Sequence, residues 1–302
     1  MPIPGCDSVL WAVRKKLRLK REFLWGMLFI LPSLTGCLVF VIIPFFGAII
    51  SSVTNAFTGT FAGFAHYVSV FNNTSFQTAS VNTLRFIGLC VPILIVISLA
   101  LATMLFKPVF IKSSLRAAFL LPMAIPAASV ALLWQVLFHS NGLVNGLMKT
   151  LSLQPVEWMR TDYALLCLII AYVWKNAGYN MVLFLAGLSS IAPELYEAAS
   201  VDGAGEWRKF ISITWPGLRP TLFTVTVLST LNTFKAYREA WLVAGNYPHT
   251  SIYLVQHTLN NWFTQLEIEK ISAAATVMAM IILVLVAILN RTWGLKNEET
   301  LT

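Results

Sequence analysis

Two sets of polar residues have the side chains and the spacing to bind a sugar. One set recurs at i, i+3, i+4, i+7 and i+8, which places on one helix face Ser229, Asn232, Thr233, Ala236 and Tyr237. The other has similar helical spacing and comprises Tyr172, Lys175, Asn176 and Tyr179. Hydroxyl and amide groups can bond the hydroxyls of a sugar, and aromatic rings can cover its apolar face. These faces predict a solute pathway, although Ser, Thr and Asn at such positions also bridge neighbouring helices.

Both sets of residues lie within long apolar segments. The composition of the chain indicates whether these segments belong to a soluble protein or to a membrane protein. Hydrophobic residues make up 57% of the 302 residues and charged residues 11%, and the mean hydropathy is +0.73. Soluble domains carry about 25% charged residues. No stretch between the apolar segments exceeds about 30 residues, which is too short for a separate soluble domain. The sequence therefore predicts a single polytopic membrane domain.

Six segments are long and apolar enough to cross a bilayer, which takes about 20 residues for about 30 Å of hydrocarbon. They cover residues 23–50, 82–106, 116–138, 163–188, 219–244 and 271–290. The fifth is the most polar of them. Prolines within the spans, including Pro122 and Pro126, predict bends. We therefore predict an all-α fold with six transmembrane helices over residues 23–292, a basic N-terminal segment 1–22 and a tail 293–302.

Lysine and arginine residues are unevenly divided between the two sides of these spans. With the N-terminus in the cytoplasm, fourteen lie inside and three lie outside, namely Lys149, Arg160 and Lys270. Positive residues collect on the cytoplasmic side of membrane proteins. The pattern predicts that both termini lie in the cytoplasm. The net charge of +8 then reflects topology in a lipid membrane and does not indicate a nucleic-acid partner.

The polar stretch "ELYEAASVDGAGEWRKFISITWP", residues 194–216, predicts a helical hairpin on the cytoplasmic side. Pro193 suits the first turn of a helix, and Gly203 suits the left-handed residue that ends one. The first helix would be about 13 Å long, which is too short to be stable alone in water. A stripe of Trp207, Phe210, Ile211 and Thr214 predicts that the second helix packs on the bundle. The first helix would then offer small side chains to a partner.

Ten ordered positions of this stretch resemble the EAA motif of permease subunits in binding-protein-dependent ABC importers. They are Glu197, Ala198, Ala199, Asp202, Gly203, Ala204, Trp207, Phe210, Ile213 and Pro216. Segments such as "FAHYVSVF", "LRAAFLLPMAIPAASVALLWQVLFHSNGLVN" and "FKAYREAWLVAGNYPHTS" are similar to the carbohydrate-uptake branch related to maltose and glycerol-phosphate permeases, so the likeness covers roughly 23–292. Where the family has an acidic residue and Gly-Gly-Pro, this chain has Arg238 and "GNYP". The resemblance indicates the family and does not decide which sugar or polyol is carried.

The resemblance implies a type I ABC importer permease fold in which the first hairpin helix is a coupling helix that docks in a cleft of a cytoplasmic ATPase. The residues implied in coupling are Glu194, Glu197, Ala198, Ala199, Asp202, Gly203 and Ala204. It further implies a location in a bacterial cytoplasmic (inner) membrane. The implied partners are a second homologous permease in a heterodimer, two copies of the ATPase and an external solute-binding protein. The chain contains no GxxxxGK[ST] phosphate loop, so ATP and Mg would bind to the ATPase, and no cofactor is expected on this chain.

Two other classes of function fit the sequence less well, a secondary transporter and a membrane enzyme. An ion-driven secondary transporter usually has internal repeats and intramembrane acids. The sequence shows no convincing repeat, and Glu239 is the acid that lies within a span. A membrane enzyme would need a catalytic cluster, but the four histidines and four cysteines have neither catalytic nor metal-ligand spacing. We therefore expect no catalytic or metal site. Lys175, which would be costly if unpaired in a span, is predicted to face a cavity or a carboxylate.

Overall fold

The computed structural model describes residues 26–56, 58–106 and 112–293. Within these ranges the chain is helical and has no β-strand, apart from an isolated antiparallel bridge between Thr54 and Phe61. This agrees with the predicted all-α class. The predicted N-terminal segment 1–22 and nearly all of the tail 293–302 lie outside the described residues.

The helices follow one another through the chain with short connections. The first half contains α1 Gly26–Ser51, α2 Ala65–Phe71, α3 Thr74–Phe106, α4 Lys112–Ala124, α5 Ala127–Leu137 and α6 Leu143–Thr150. The second half contains α7 Tyr163–Ser189, α8 Pro193–Val201, α9 Glu206–Lys209, α10 Arg219–Thr233, α11 Tyr237–Ala244, α12 Val255–Thr264 and α13 Ile268–Trp293.

Four of these helices, α1, α3, α7 and α13, are long and apolar enough to cross a membrane. They correspond to the first, second, fourth and sixth predicted spans, although α3 begins at Thr74 rather than at residue 82. The fifth predicted segment is also helical, as α10, a 3-10 turn at Phe234–Ala236 and α11. Its polar residues keep it below the hydropathy of the other spans. The count of six spans stays a prediction at this segment.

The third predicted span is broken rather than continuous. Helices α4 and α5 pass the test for a membrane span only as a pair, and they are bent by 94°. Pro126 stands at the break with an extended ψ of 143°, and Pro122 lies in the last turn of α4. Each proline lacks the N–H that would continue the helical ladder, and each disfavours helix in the residue before it. The two prolines therefore produce a corner where the sequence predicts a bend.

Helix α7 lies at the centre of the bundle and α1 at its edge. In their most apolar stretches 61% of the residues of α7 are buried, against none in α1. Close packing of α7 on its neighbours depends on glycine. A Cβ at Gly178 would lie 1.9 Å from the carbonyl oxygen of Phe119, so the backbones of α7 and α4 touch at this position. Helix α7 contacts the second, third and fifth predicted spans; its middle carries one of the two polar faces, and the hairpin follows its last residue.

Candidate coupling hairpin and solute pathway

The first helix of the hairpin begins at Pro193, the residue that the sequence predicts for its first turn. Helix α8 runs from Pro193 to Val201, and Gly203 has a φ of +73°, in the left-handed region. The N–H of Gly203 donates to the carbonyl of Ser200 at 3.1 Å, and the N–H of Ala204 donates to the carbonyl of Ala199 at 2.9 Å. This pair of bonds is a Schellman motif, which a left-handed residue makes possible. Gly203 therefore fixes the turn between the two hairpin helices.

One side of helix α8 packs on the bundle, and the other side is exposed. Tyr196 packs against the inner core of the bundle, and its hydroxyl lies 3.0 Å from the Thr214 hydroxyl. The predicted coupling residues Glu194, Glu197, Ala198, Asp202 and Gly203 are exposed, whereas Ala199 and Ala204 are half-buried. Val201 is 89% exposed and Leu195 53% exposed, although both are apolar. These two residues were not predicted from the sequence, although an apolar side chain on a short polar helix can indicate a contact surface.

The second hairpin helix packs on the bundle through a different face from the predicted one. Thr214 is buried, and Phe210 and Ile213 are half-buried, but Trp207 and Ile211 are exposed. Trp207 lies in the α-helical turn before residue 210, whereas Ile211 lies in a π-helical turn at Phe210–Thr214. A π turn inserts an extra residue and rotates the side chains that follow. The predicted stripe is therefore wrong for Trp207 and Ile211, and Trp207 instead stacks on Phe210 with 5.9 Å between ring centroids.

The charged residue predicted for the pathway has a carboxylate partner. The Lys175 Nζ lies 2.7 Å from the Glu239 Oε1, and each side chain is 15% exposed. The ion pair joins α7 to α11. This confirms the prediction that Lys175 faces a cavity or a carboxylate, because an unpaired ammonium in a span would be costly.

Three of the predicted pathway residues are buried between helices. Tyr172 packs edge-on against Phe86, with 5.6 Å between their ring centroids. The Ser229 hydroxyl accepts a hydrogen bond of 2.7 Å from the Asn180 amide, which ties α10 to α7. Thr233 is also buried and donates to the carbonyl of Thr230. Asn180 was missed, although it continues the spacing of Tyr172 and Asn176 by one more turn. Ser229 thus bridges helices, as the alternative interpretation allows.

The other four predicted pathway residues besides Lys175 are half-buried: Asn176, Tyr179, Asn232 and Tyr237. The Asn176 amide donates to the carbonyl of Tyr172 at 2.8 Å, and the Asn232 amide oxygen accepts from Lys235 Nζ at 2.7 Å. Their partial exposure leaves them able to meet a solute. The assignment of these residues to a pathway stays a prediction.

A buried histidine lies beside Tyr237 at the far end of the bundle from the hairpin. The rings of His257 and Tyr237 are 4.7 Å apart and edge-on. His257 is fully buried, and its Nδ1 accepts from the N–H of Leu254 at 3.1 Å. Burial lowers the pKa of His257 to about 4, so the ring is neutral at pH 7. No group of three or more His, Cys, Asp and Glu side chains within the described ranges could hold a metal ion.

Comparison with known proteins places this arrangement among transport subunits. Residues 94–293 match the family "Binding-protein-dependent transport system inner membrane component". The trehalose/maltose transport system permease protein of Thermococcus litoralis is 33% identical over 76% of this chain and 79% of its own length. The lactose transport system permease protein of Rhizobium radiobacter is 30% identical over 92% of this chain and 96% of its own length.

Solved structures agree with these relatives. A bacterial ABC transporter involved in the import of the acidic polysaccharide alginate has a TM-score of 0.79 and 26% identity, over 93% of this chain and 98% of that one. A structure of the bacterial alginate ABC transporter with a periplasmic protein carrying an alginate pentasaccharide has a TM-score of 0.76 and 25% identity, over 94% and 98% of the two chains. The likeness to these structures therefore extends over nearly the whole chain.

Proposed function

The chain belongs to the family of binding-protein-dependent transport system inner membrane components, and we infer its role from that membership. It is a multi-pass permease subunit of an ABC importer that translocates a sugar or oligosaccharide. The observation that carries this function is the likeness over nearly the whole chain to sugar permeases and to a solved polysaccharide importer. The subunit transports its solute, and ATP is hydrolysed by a separate ATPase chain.

The hairpin is the proposed contact with the ATPase. Helix α8 exposes Glu194, Glu197 and Ala198, while Tyr196 ties the helix to the bundle core. A partner that pushes on the free face would therefore move the spans through Tyr196 and its contact with Thr214. The ATPase binds ATP and Mg, since this chain has no phosphate loop. Two copies of the ATPase would serve this permease and a second, homologous permease in a heterodimer.

The proposed orientation follows from the same hairpin. Coupling places α8 and both termini in the cytoplasm, with the residues of segments 1–22 and 293–302 on that side. The family name and the complex of the alginate transporter with its periplasmic protein support an external solute-binding protein on the other side of the inner membrane. The proposed membrane domain covers residues 23–292, with the coupling segment at 193–220.

The proposed pathway runs between α7 on one side and α10 with α11 on the other. The partly exposed side chains of Asn176, Tyr179, Asn232 and Tyr237 would contact the sugar. Tyr172, Ser229 and Thr233 support them from within the helix contacts, and the Lys175–Glu239 pair keeps the two walls together. An ion-driven secondary transporter usually carries an intramembrane acid that binds the coupling ion. Glu239 is instead engaged by Lys175 at 2.7 Å, which gives that alternative no support.

Reconstitution tests the function directly. Proteins that copurify with the tagged chain from its native membrane are expected to include an ATPase and a second permease. Proteoliposomes containing this assembly, with ATP and Mg inside and the binding protein outside, are expected to accumulate one member of a panel of radiolabelled saccharides that includes maltose, trehalose, lactose and alginate oligosaccharides. An ATPase variant without its phosphate-loop lysine is the control. Uptake by the lone chain that requires an ion gradient would overturn the proposal, as would the absence of uptake across the panel.

A further inference from the structure

A cavity of about 310 Å³ opens at the end of the bundle that is remote from the hairpin. It lies between the end of α5, the end of α11 and the 3-10 turn Trp158–Arg160 that precedes α7. Helix α7 has 27 residues and is thus about 40 Å long, with this cavity before its first turn and the hairpin after its last. In the proposed orientation the cavity faces the solute-binding protein.

The side chains around the cavity combine two chemical types. Its wall includes Gln135, Phe138, His139, Glu157, Trp158 and Arg160. Four of these carry planar polar groups that can donate to or accept from neighbouring hydroxyls, and Arg160 can donate two parallel bonds. Two carry aromatic rings, which suit the apolar C–H face of a sugar ring. The volume is at the lower end of the range for small-molecule sites, so it fits one or two sugar units.

Contacts within the protein hold the two aromatic side chains of the cavity wall, Phe138 and Trp158, in position. The Trp158 indole N–H donates to the Asn145 side-chain oxygen at 3.0 Å. Asn145 is fully buried in α6, and its amide donates to the carbonyls of His139, Ser140 and Val156. The Trp158 ring also lies 5.8 Å from the Phe138 ring. A prearranged wall lowers the entropy cost of binding.

The cavity continues the direction of the proposed pathway. Val243 lines it and lies four residues after Glu239 on α11, which is one turn farther along the same helix face. The Gln135 amide donates to the carbonyl of Val243 at 2.9 Å and so holds α5 against α11 at this level. The cavity is therefore separated from the Lys175–Glu239 pair by about 6 Å of helix.

We propose that this cavity is a saccharide-binding subsite at the outer mouth of the permease. It takes a sugar unit as the binding protein releases it, before the sugar enters the pathway along α7 and α10. Phe138 and Trp158 cover the ring face, and Glu157 and Arg160 bond its hydroxyls. The subsite rests on the proposed function, because the sugar must be the solute that the importer carries.

Two exposed residues allow the subsite to be tested with little risk to folding. Arg160→Met and Glu157→Gln each remove a charged group from the cavity wall. Lys149→Met, in the last turn of α6, and Asp162→Asn, just before α7, remove the same charges from exposed positions that do not line the cavity. The probe is whichever labelled sugar the wild-type proteoliposomes accumulate. Its binding is measured by equilibrium dialysis to the permease and ATPase assembly in nanodiscs, without the binding protein.

The subsite predicts that each cavity variant raises the Kd of the probe roughly tenfold, since each removes a charge-assisted hydrogen bond. The two matched controls should retain wild-type affinity. Asn232→Ala, in the proposed pathway, should lower uptake while binding to the nanodisc assembly persists. Wild-type affinity in both cavity variants would overturn the subsite, as would complete loss of binding in Asn232→Ala. If no sugar is accumulated at all, the proposed function fails and the subsite fails with it, whereas uptake without probe binding overturns the subsite alone.

Discussion

The Lys175–Glu239 pair shows how single residues carry charge within an apolar bundle. The two side chains come from α7 and α11, and each is only 15% exposed. Removing one partner leaves the other charge without compensation, which is costlier than replacing both by apolar groups. The pair therefore couples two helices whose polar faces are the proposed pathway.

Single and double substitutions should separate the free-energy cost of an unpaired buried charge from the cost of losing the whole ion pair. Lys175→Met or Glu239→Gln alone is expected to destabilise the fold by about 3 kcal/mol, because a buried charge is left unpaired. The double variant Lys175→Met/Glu239→Met should recover most of that loss. The measurement is the midpoint of thermal unfolding in detergent micelles, with Lys270→Met as a control that breaks the more exposed pair with Glu267. Equal losses in the single and double variants would contradict the argument.

His257 gives the chain a pH-dependent stability. Burial lowers its pKa to about 4 in the fold, whereas the unfolded chain binds the proton below about pH 6.5. Between these values the unfolded state holds more protons, so stability should fall as the pH drops from 6.5 towards 4 and level off below 4.

Unfolding midpoints at several pH values test this dependence. His257→Gln should flatten the change between pH 6.5 and pH 4, and His249→Gln, which changes a partly buried histidine beside the same segment, should preserve it. A slope that is unchanged in His257→Gln would assign the dependence to other groups.

At the scale of elements, the hairpin depends on the conformation of one glycine. Gly203→Pro cannot adopt a φ of +73°, and it removes the N–H that bonds Ser200. Gly205→Ala is the matched control, since Gly205 has a φ of −68° and open space around its Cβ position. Gly203→Pro is expected to lose copurification of the ATPase, while Gly205→Ala keeps it. Glu197→Lys, on the exposed face of α8, should weaken that contact without changing the fold.

ATPase copurification and sugar uptake are both needed to judge the hairpin variants. Intact ATPase binding together with full uptake in Gly203→Pro and Glu197→Lys would refute the coupling role.

The elements also show how far local sequence signals reach. The bounds of α8 and the left-handed Gly203 are local properties, so they could be predicted. The 94° corner at Pro126 could be predicted only as a bend, because a proline interrupts a helix without fixing the angle between its two parts. The π turn at Phe210–Thr214 changed which residues face the bundle. Its signal was Pro216, which has no N–H to donate to the residue four positions earlier.

The long-range contacts of the candidate sites could be predicted less well than these local features. The cost of an unpaired charge in a span predicted a cavity or a carboxylate for Lys175 but could not select Glu239, 64 residues away. The subsite cavity joins the ends of two predicted spans to the turn before α7, and no sequence pattern links these three segments. Side chains of one helix can be grouped from sequence, whereas groups from several helices require the packed bundle.

At the scale of the whole molecule, the proposed mechanism requires the hairpin and the subsite cavity to lie on opposite sides of the membrane. Helix α7 connects them, and its length of about 40 Å is enough to cross a bilayer. Lysine and arginine residues favour the hairpin side as the cytoplasmic one. Force from the ATPase would then reach the outer mouth through the most buried span.

Cysteine labelling tests this orientation. In a chain whose native cysteines are replaced, Val201→Cys and Tyr247→Cys place a thiol at positions that are 89% and 73% exposed. A membrane-impermeant maleimide applied to intact spheroplasts should label Tyr247→Cys, because residue 247 follows α11 at the outer end. It should label Val201→Cys only after the membrane is opened, which also serves as the control for thiol reactivity. Labelling of Val201→Cys in intact spheroplasts would reverse the orientation, and with it the sides assigned to the ATPase and the sugar.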